Sequence, residues 1–285
     1  MANRIRVPIV LILMTIAILL MPGCDGDGND IPCTNPLDSE CPDYVELDTK
    51  IVAGPDSGAT VISHTVSFTY RASNDNVSYF AYRLTQSRWS DWSDTTDTTV
   101  TFQLLDEGLH QFEVKARYSA EDGDDTPAIS PFVIDAIKGP GIRLQQRRFS
   151  VAVGDTFVAI VFIEEVDSLK GVLAELAFNP DSLTFIRGEI YTDHSSILMS
   201  NAAGRVISKF TPNSAAGTVK MEAATTTGDP PYVSGTGPIG QVTFQALQAG
   251  ITRLRFLEST ELRNANNETI ENVEKVQSLV EIRPQ

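Results

Sequence analysis

The sequence predicts an all-β chain: two sandwich domains in tandem, after a signal segment and a short linker. Three observations carry this. From Glu46 onward the apolar residues recur with period two, in short runs separated by turn residues. No long stretch carries helical periodicity. The chain has 285 residues, 42% of them hydrophobic, which is enough for two domains with real cores.

Charge and composition narrow the function classes. Lys plus Arg number 22 against 37 Asp plus Glu, a net charge of −15. Binding nucleic acid needs a basic face, so this chain is a poor candidate for it, and equally for anionic lipid headgroups. Three His and three Cys leave little material for a zinc site. Collagen, coiled coil and multi-span membrane protein are excluded by composition.

Residues 1–23 read as a targeting signal. Arg4 and Arg6 precede the apolar run Val7–Leu20, which is shorter than the roughly 20 residues a membrane span needs. The run ends in Met21-Pro22-Gly23-Cys24. This resembles the bacterial lipoprotein signal, in which a small residue precedes a Cys that is lipidated and becomes the mature N-terminus. The resemblance implies that Cys24 carries acyl chains that hold the protein on a bilayer of the cell envelope, facing the periplasm or the outside. Met21 stands where Leu is usual, and Pro22 departs from the pattern. An ordinary secretory signal, or an uncleaved anchor with a chance Cys, is the alternative.

Residues 24–45 form an acidic linker rich in Gly, Asp, Asn and Pro. With Cys24 lipidated, Cys33 and Cys41 remain as an even pair, which outside the cytoplasm reads as a disulfide loop; two free thiols are the alternative. Asp25, Asp27, Asn29 and Asp30 alternate with Gly as in calcium loops. They lack the later bidentate acid of an EF-hand, and a solvated spacer explains them.

Residues 46–137 carry about seven short strands, among them Val66-Phe68-Tyr70, Tyr79–Leu84, Val100-Phe102-Leu104, Phe112-Val114-Ala116 and Phe132-Ile134. That is one immunoglobulin-like sandwich. The segments VSFTYRA, SYFAYRL, RWSDWSD and VTFQLLDEGLHQFEVKARYSAEDGDDTPA are similar, in order, to fibronectin type III-like modules of bacterial surface and sensor proteins. Those modules carry Tyr where this chain has His110, so the tyrosine-corner hydrogen bond must be made differently or lost. Trp89 and Trp92 could form a platform for sugar or peptide. The structural reading packs them on the sheet, with Arg83, Arg88 and Arg117 as cation–π partners. Glu121, Asp122, Asp124 and Asp125 could chelate calcium, but a polar turn explains them as well. Asp135–Gly141, with Gly139-Pro140-Gly141, marks the boundary.

Residues 138–285 read as eight or nine strands of a two-sheet jelly-roll. They include Phe149-Val151-Val153, Phe157–Ile163, Val172–Phe178, Leu183-Phe185, Val206-Ser208-Phe210, Val219-Met221-Ala223, Val242-Phe244-Ala246, Leu254-Phe256 and Val280-Ile282. FSVAVGDTFVAIVFIEEVDSLKGVLAELAFNPDSLTF and GTGPIGQVTFQALQAGITRLRF are similar to the opening and the later part of cohesin modules. The matched positions, such as Gly154, Gly171, Pro180, Phe244 and Gly250, are turn or core positions. The resemblance implies a non-catalytic binding module; separately, no cofactor and no metal site is expected. Its partner would be a protein, such as the dockerin modules of secreted glycan-degrading enzymes; no contact residue can be carried over. The relation of the cohesin fold to carbohydrate-binding modules leaves direct polysaccharide binding as the alternative. Flat crystalline glycan is disfavoured, because this domain has no Trp and only Tyr191 and Tyr232. A structural or adhesion role in the envelope is a second alternative.

Catalysis is not expected. His64, His110 and His194 are scattered outside any metal motif. Glu164 and Glu165 are strand neighbours that face opposite sides, unlike a glycosidase pair. Asp193-His194-Ser195 are consecutive, and consecutive residues do not form a triad.

Overall fold

The alternating runs become strands. The structure, a computed structural model, describes residues 41–85, 91–118, 123–193, 196–199, 205–226 and 230–285. Among these there is no α-helix, only a 3-10 turn at Ile197–Met199. Cys41–Glu46 belong to one compact unit, and Leu47–Gln285, which contain both sandwiches, to another.

Among the described residues the first sandwich has eight strands: β1 (Thr49–Ala53), β2 (Ala59–Val61), β3 (Val66–Ala72), β4 (Tyr79–Thr85), β5 (Ser93–Thr95), β6 (Thr99–Phe102), β7 (Gly108–Arg117) and β8 (Ala128–Ile134). One sheet runs β1-β3-β6 and the other β2-β8-β7-β4-β5, with β2 parallel to β8. Between them Phe68 stacks on Phe112 at 4.1 Å, with Phe132 tilted against Phe68. His110 is buried here at 2% exposure and stacks on Phe132. Its Nε2 lies 2.7 Å from the backbone carbonyl of Asp106, four residues upstream. The corner bond expected from a tyrosine hydroxyl is therefore made by an imidazole.

The second sandwich contains β9 (Gly141–Leu144), β10 (Arg148–Ala152), β11 (Thr156–Ala177), β12 (Leu183–Ile190), β13 (Val206–Asn213), β14 (Thr218–Thr225), β15 (Val233–Ala246), β16 (Gly250–Phe256), β17 (Glu261–Asn264), β18 (Glu274–Lys275) and β19 (Ser278–Arg283). All eleven belong to one hydrogen-bonded sheet that folds over at β11. The first half of β11 pairs with β15 and β9, with β12 outside β15. The second half pairs with β14 on one side and β17 and β16 on the other, with β13 outside β14. Phe157, Leu176, Phe178, Val242, Phe244 and Val280 fill the space between the layers.

The alternation predicted two strands, Phe157–Ile163 and Val172–Phe178, where the structure has a single strand of 22 residues. The register against β15 shifts between Ile163 and Val166 and again before Leu169, and Glu165 and Ser168 there have φ of 45° and 56°. Such bulges bend a strand and leave an N–H unpaired. The Glu165 N–H donates to Thr236 Oγ1 at 3.0 Å and the Ser168 N–H to Ser234 Oγ at 3.1 Å. These hydroxyls satisfy the backbone, so the strand turns the corner without ending.

Candidate functional site

The sheet built on the second half of β11 exposes one face to solvent. Alternation sets which side chains stand on it: Val172, Ala174 and Leu176 point into the core, and Gly171, Leu173, Glu175 and Ala177 point out. Register then aligns outward residues across the strands. Ile207, Ala224, Gly171 and Arg263 form one row, and Lys209, Glu222, Leu173 and Glu261 the next. Thr211, Lys220 and Glu175 follow, then Asn213, Thr218, Ala177 and Arg255. Arg253 lies one step farther along β16, also exposed.

The first two rows enclose a recess of about 340 Å³. Its lining includes Gly171, Leu173, Ile207, Ala224, Lys209 and Arg263. The floor is low because Gly171 has no side chain and its cross-strand neighbour Ala224 has a short one. Ile207 stands beside it at 60% exposure.

Glycine at this position is not required by the fold. A Cβ on Gly171 would meet Ala223 and Ala224 at 3.7 Å and Arg263 at 3.9 Å, ordinary contact distances, and the residue is not in the positive-φ region. The contrast is Gly188 on β12, where the Phe210 ring occupies the place a Cβ would take. Gly188 serves packing, whereas Gly171 leaves an opening.

Charge on this face is unevenly satisfied. Arg263 donates to Glu261 at 2.6 Å and to the Asn267 carbonyl at 3.0 Å. Glu175 accepts from the Ser259 hydroxyl. Lys209, Lys220, Arg253 and Arg255 make no salt bridge or side-chain hydrogen bond among the described residues.

The residues singled out from sequence fall elsewhere. Cys24, Cys33, Asp25, Asp27, Asn29, Asp30, Arg88, Trp89, Glu121, Asp122, His194 and Ser195 lie outside the described residues. Cys41 is disulfide-bonded. Trp92 lies against Arg83, whose guanidinium is 4.6 Å from the ring centroid, and against Lys115 at 4.7 Å. Lys115 was not among the expected cations. It stands opposite Ala81, two residues from Arg83 on the same face of β4 and β7, which brings it to the ring. Asp124 caps a turn through Thr126. Among the described residues no group of three or more His, Cys, Asp or Glu could hold a metal ion. Glu164 pairs with Arg143, and Glu165 accepts the Gly139 N–H, so the two acids have separate partners. The Tyr191 hydroxyl donates to Gln241 at 3.0 Å, and burial raises its pKa.

His64 lies where the first sandwich meets β9 and β10. Its Nδ1 is 2.9 Å from the Leu105 carbonyl and its Nε2 3.4 Å from Glu107. Despite that carboxylate, burial, and after it the charge of Arg147, push its pKa down to about 4.

Of the residues around the recess, sequence reasoning named Gly171 as a turn or core position and Val172, Ser208 and Ala223 as strand residues, and none of them as part of a site. The available signal was Val206-Ile207, two adjacent apolar residues where one must face outward, together with Lys and Arg at outward strand positions. What joins them is pairing between distant segments.

No family model and no curated relative matches the chain. Solved structures similar to it include a non-cellulosomal cohesin from Archaeoglobus fulgidus, with 14% identity over 51% of this chain and 92% of that one and a TM-score of 0.41. The second type II cohesin module of the adaptor ScaA scaffoldin of Acetivibrio cellulolyticus is 20% identical over 52% of this chain and 96% of that one, with a TM-score of 0.41. A type I cohesin–dockerin complex, Coh-OlpA-Doc918 of Clostridium thermocellum, gives 12% identity over 51% and 100%, with a TM-score of 0.40.

Proposed function

We propose that this chain is a non-catalytic docking protein of the cell envelope. Its second sandwich binds a protein partner on the outer face formed by β13, β14, β11, β16 and β17, and its first sandwich, a fibronectin type III-like module, is a spacer. The partner is a dockerin-type module, in extracellular polysaccharide breakdown or surface assembly. Cys24 is the lipid attachment point, and Cys33 and Cys41 close a loop in the tether.

The observation that carries the reading is the recess over Gly171 and Ala224, kept open by a glycine that the fold does not need. An apolar floor rimmed by charged side chains, on an otherwise flat sheet, suits one inserted side chain surrounded by polar contacts. The cohesin-like motif order in residues 138–285 supports the same assignment. A glycan reading has less to rest on, since residues 138–285 contain no Trp and only Tyr191 and Tyr232 as tyrosines.

The test is direct binding of the full chain in detergent to purified dockerin modules, with a panel of polysaccharides in parallel. The reading expects a one-to-one complex with a dockerin and no retention on glycan. Binding to glycan alone would overturn it. Cys24→Ala is expected to lose the acyl chains and leave the membrane fraction or remain on its uncleaved segment. A mature wild-type protein that starts elsewhere without lipid would overturn the anchor.

A further inference from the structure

Four cations cross the docking face in a line. Lys209 stands on β13 in the row of Leu173, Lys220 on β14 in the row of Glu175, and Arg255 on β16 in the row of Ala177. Arg253 is one step beyond Arg255. Each moves the charge one row along the strands while crossing the sheet from β13 to β16. Taking about 4.8 Å between strands and about 6.7 Å between rows, the line is roughly 25 Å long. It starts beside the recess, since Lys209 belongs to the lining.

These cations go against the composition. The chain carries 37 acids and 22 bases, and none of the four has an ionic partner among the described residues. Lys220 is directly opposite Glu175, yet that carboxylate takes its hydrogen bond from Ser259 and makes no ion pair with Lys220. Lys209 likewise stands opposite Glu222 without an ion pair between them, so the exposed cations of this face remain available to carboxylates that cover it.

We propose that the docked partner presents an elongated acidic surface: carboxylates along about 25 Å that cover Lys209, Lys220, Arg255 and Arg253, with one apolar side chain at the Lys209 end that enters the recess. This rests on the docking reading above and adds the partner's chemistry to it. A protein surface is favoured over an acidic polysaccharide because the recess floor, Gly171, Leu173 and Ala224, is apolar and offers a polymer of sugars no stacking ring. Only Lys209 stands on edge strand β13, so a strand added to its free backbone would not reach Lys220, Arg255 and Arg253.

Two helical peptides of about 20 residues, about 30 Å long, serve as probes. One carries Glu along one face with a Leu at one end, and the other carries Lys in place of Glu. Polygalacturonate is the third probe. Binding to the full chain in detergent is followed by NMR shifts at low and high salt. The Glu peptide is expected to bind at least about tenfold more tightly than the Lys peptide, to weaken as salt rises, and to shift Leu173 and Ala224. Lys209→Glu with Lys220→Glu should abolish that preference, while thermal unfolding confirms that the variant is folded. Equal binding of both peptides, binding of neither, or tighter binding of polygalacturonate would overturn the proposal. If the peptides fail while a dockerin still binds and filling the recess blocks it, the acidic partner falls and the docking reading stands.

Discussion

The carboxylate of Asp106 accepts a hydrogen bond from the backbone N–H of Arg147 at 2.6 Å. Asp106 sits on the turn between β6 and β7 of the first sandwich, and Arg147 just before β10 of the second. Beside it the carboxylate of Glu107 accepts the N–H of Ala136 at 3.1 and 3.3 Å. One turn thus satisfies backbone donors of both the boundary segment and the second sandwich, which ties the first sandwich to the second. Asp106→Ala leaves a half-buried N–H without its acceptor and is expected to cost about 1–2 kcal/mol. Chemical denaturation should read this as a separate, earlier transition. A single transition at the wild-type midpoint would refute the coupling.

The same junction should weaken in acid through His64. Its folded pKa is depressed from 6.5 to about 4, so the unfolded chain takes up the proton first. Its contribution to stability is full above pH 6.5 and is lost as pH falls toward 4. The charges facing it are Glu107, Arg143 and Arg147. Asp106 and Glu107 have pKa values raised by burial, which acts in the opposite direction as they take up protons. The comparison is therefore between the wild type and His64→Gln. From pH 7 to pH 4.5 the wild type should lose more melting temperature than the variant. Parallel curves would contradict the assignment.

His110 should behave as a structural residue. His110→Ala removes both the bond to the Asp106 carbonyl and the stack on Phe132, at an expected cost of about 2 kcal/mol in urea denaturation. His110→Phe keeps the ring and loses the bond, and should cost about half as much. A cost below about 0.5 kcal/mol for the alanine variant would show that the corner bond is not what holds this turn.

Gly188 and Gly171 should respond oppositely to a side chain. Gly188→Ala drives a methyl into the Phe210 ring, which itself stacks on Phe185 at 5.6 Å, and is expected to destabilise by about 2 kcal/mol. Gly171→Ala should be neutral within about 0.5 kcal/mol, since its Cβ meets only ordinary contacts. Urea midpoints of the two variants decide, and an equal loss in both would remove the argument that Gly171 is dispensable to the fold.

The fold was legible in the sequence to the extent that alternation is local. Phe149, Phe157, Phe244 and Val280 are buried as their period-two runs require. Glu164 to Ser168 broke the alternation and read as the end of a strand, because bulges look like turns when the hydroxyls that rescue them, Ser234 and Thr236, are about 70 residues away. The proposed docking face was illegible for the same reason. Gly171 and Ala224 become neighbours only through the β11–β14 register, and the line from Lys209 to Arg253 exists only once β13, β14, β11 and β16 are set side by side. Trp92 was placed correctly as a packed ring, yet one of its cations, Lys115, needed the β4–β7 pairing to be found.

The measurement that tests the docking face most directly is the affinity of the full chain for a dockerin module before and after Gly171→Leu. That substitution fills the recess at a site where the backbone tolerates a side chain. Val158→Lys, on the outward side of the first half of β11, is the control. The docking account predicts at least about a tenfold loss of affinity for Gly171→Leu, an unchanged melting temperature, and no loss for Val158→Lys. Undiminished binding by Gly171→Leu, or loss with Val158→Lys instead, would contradict it.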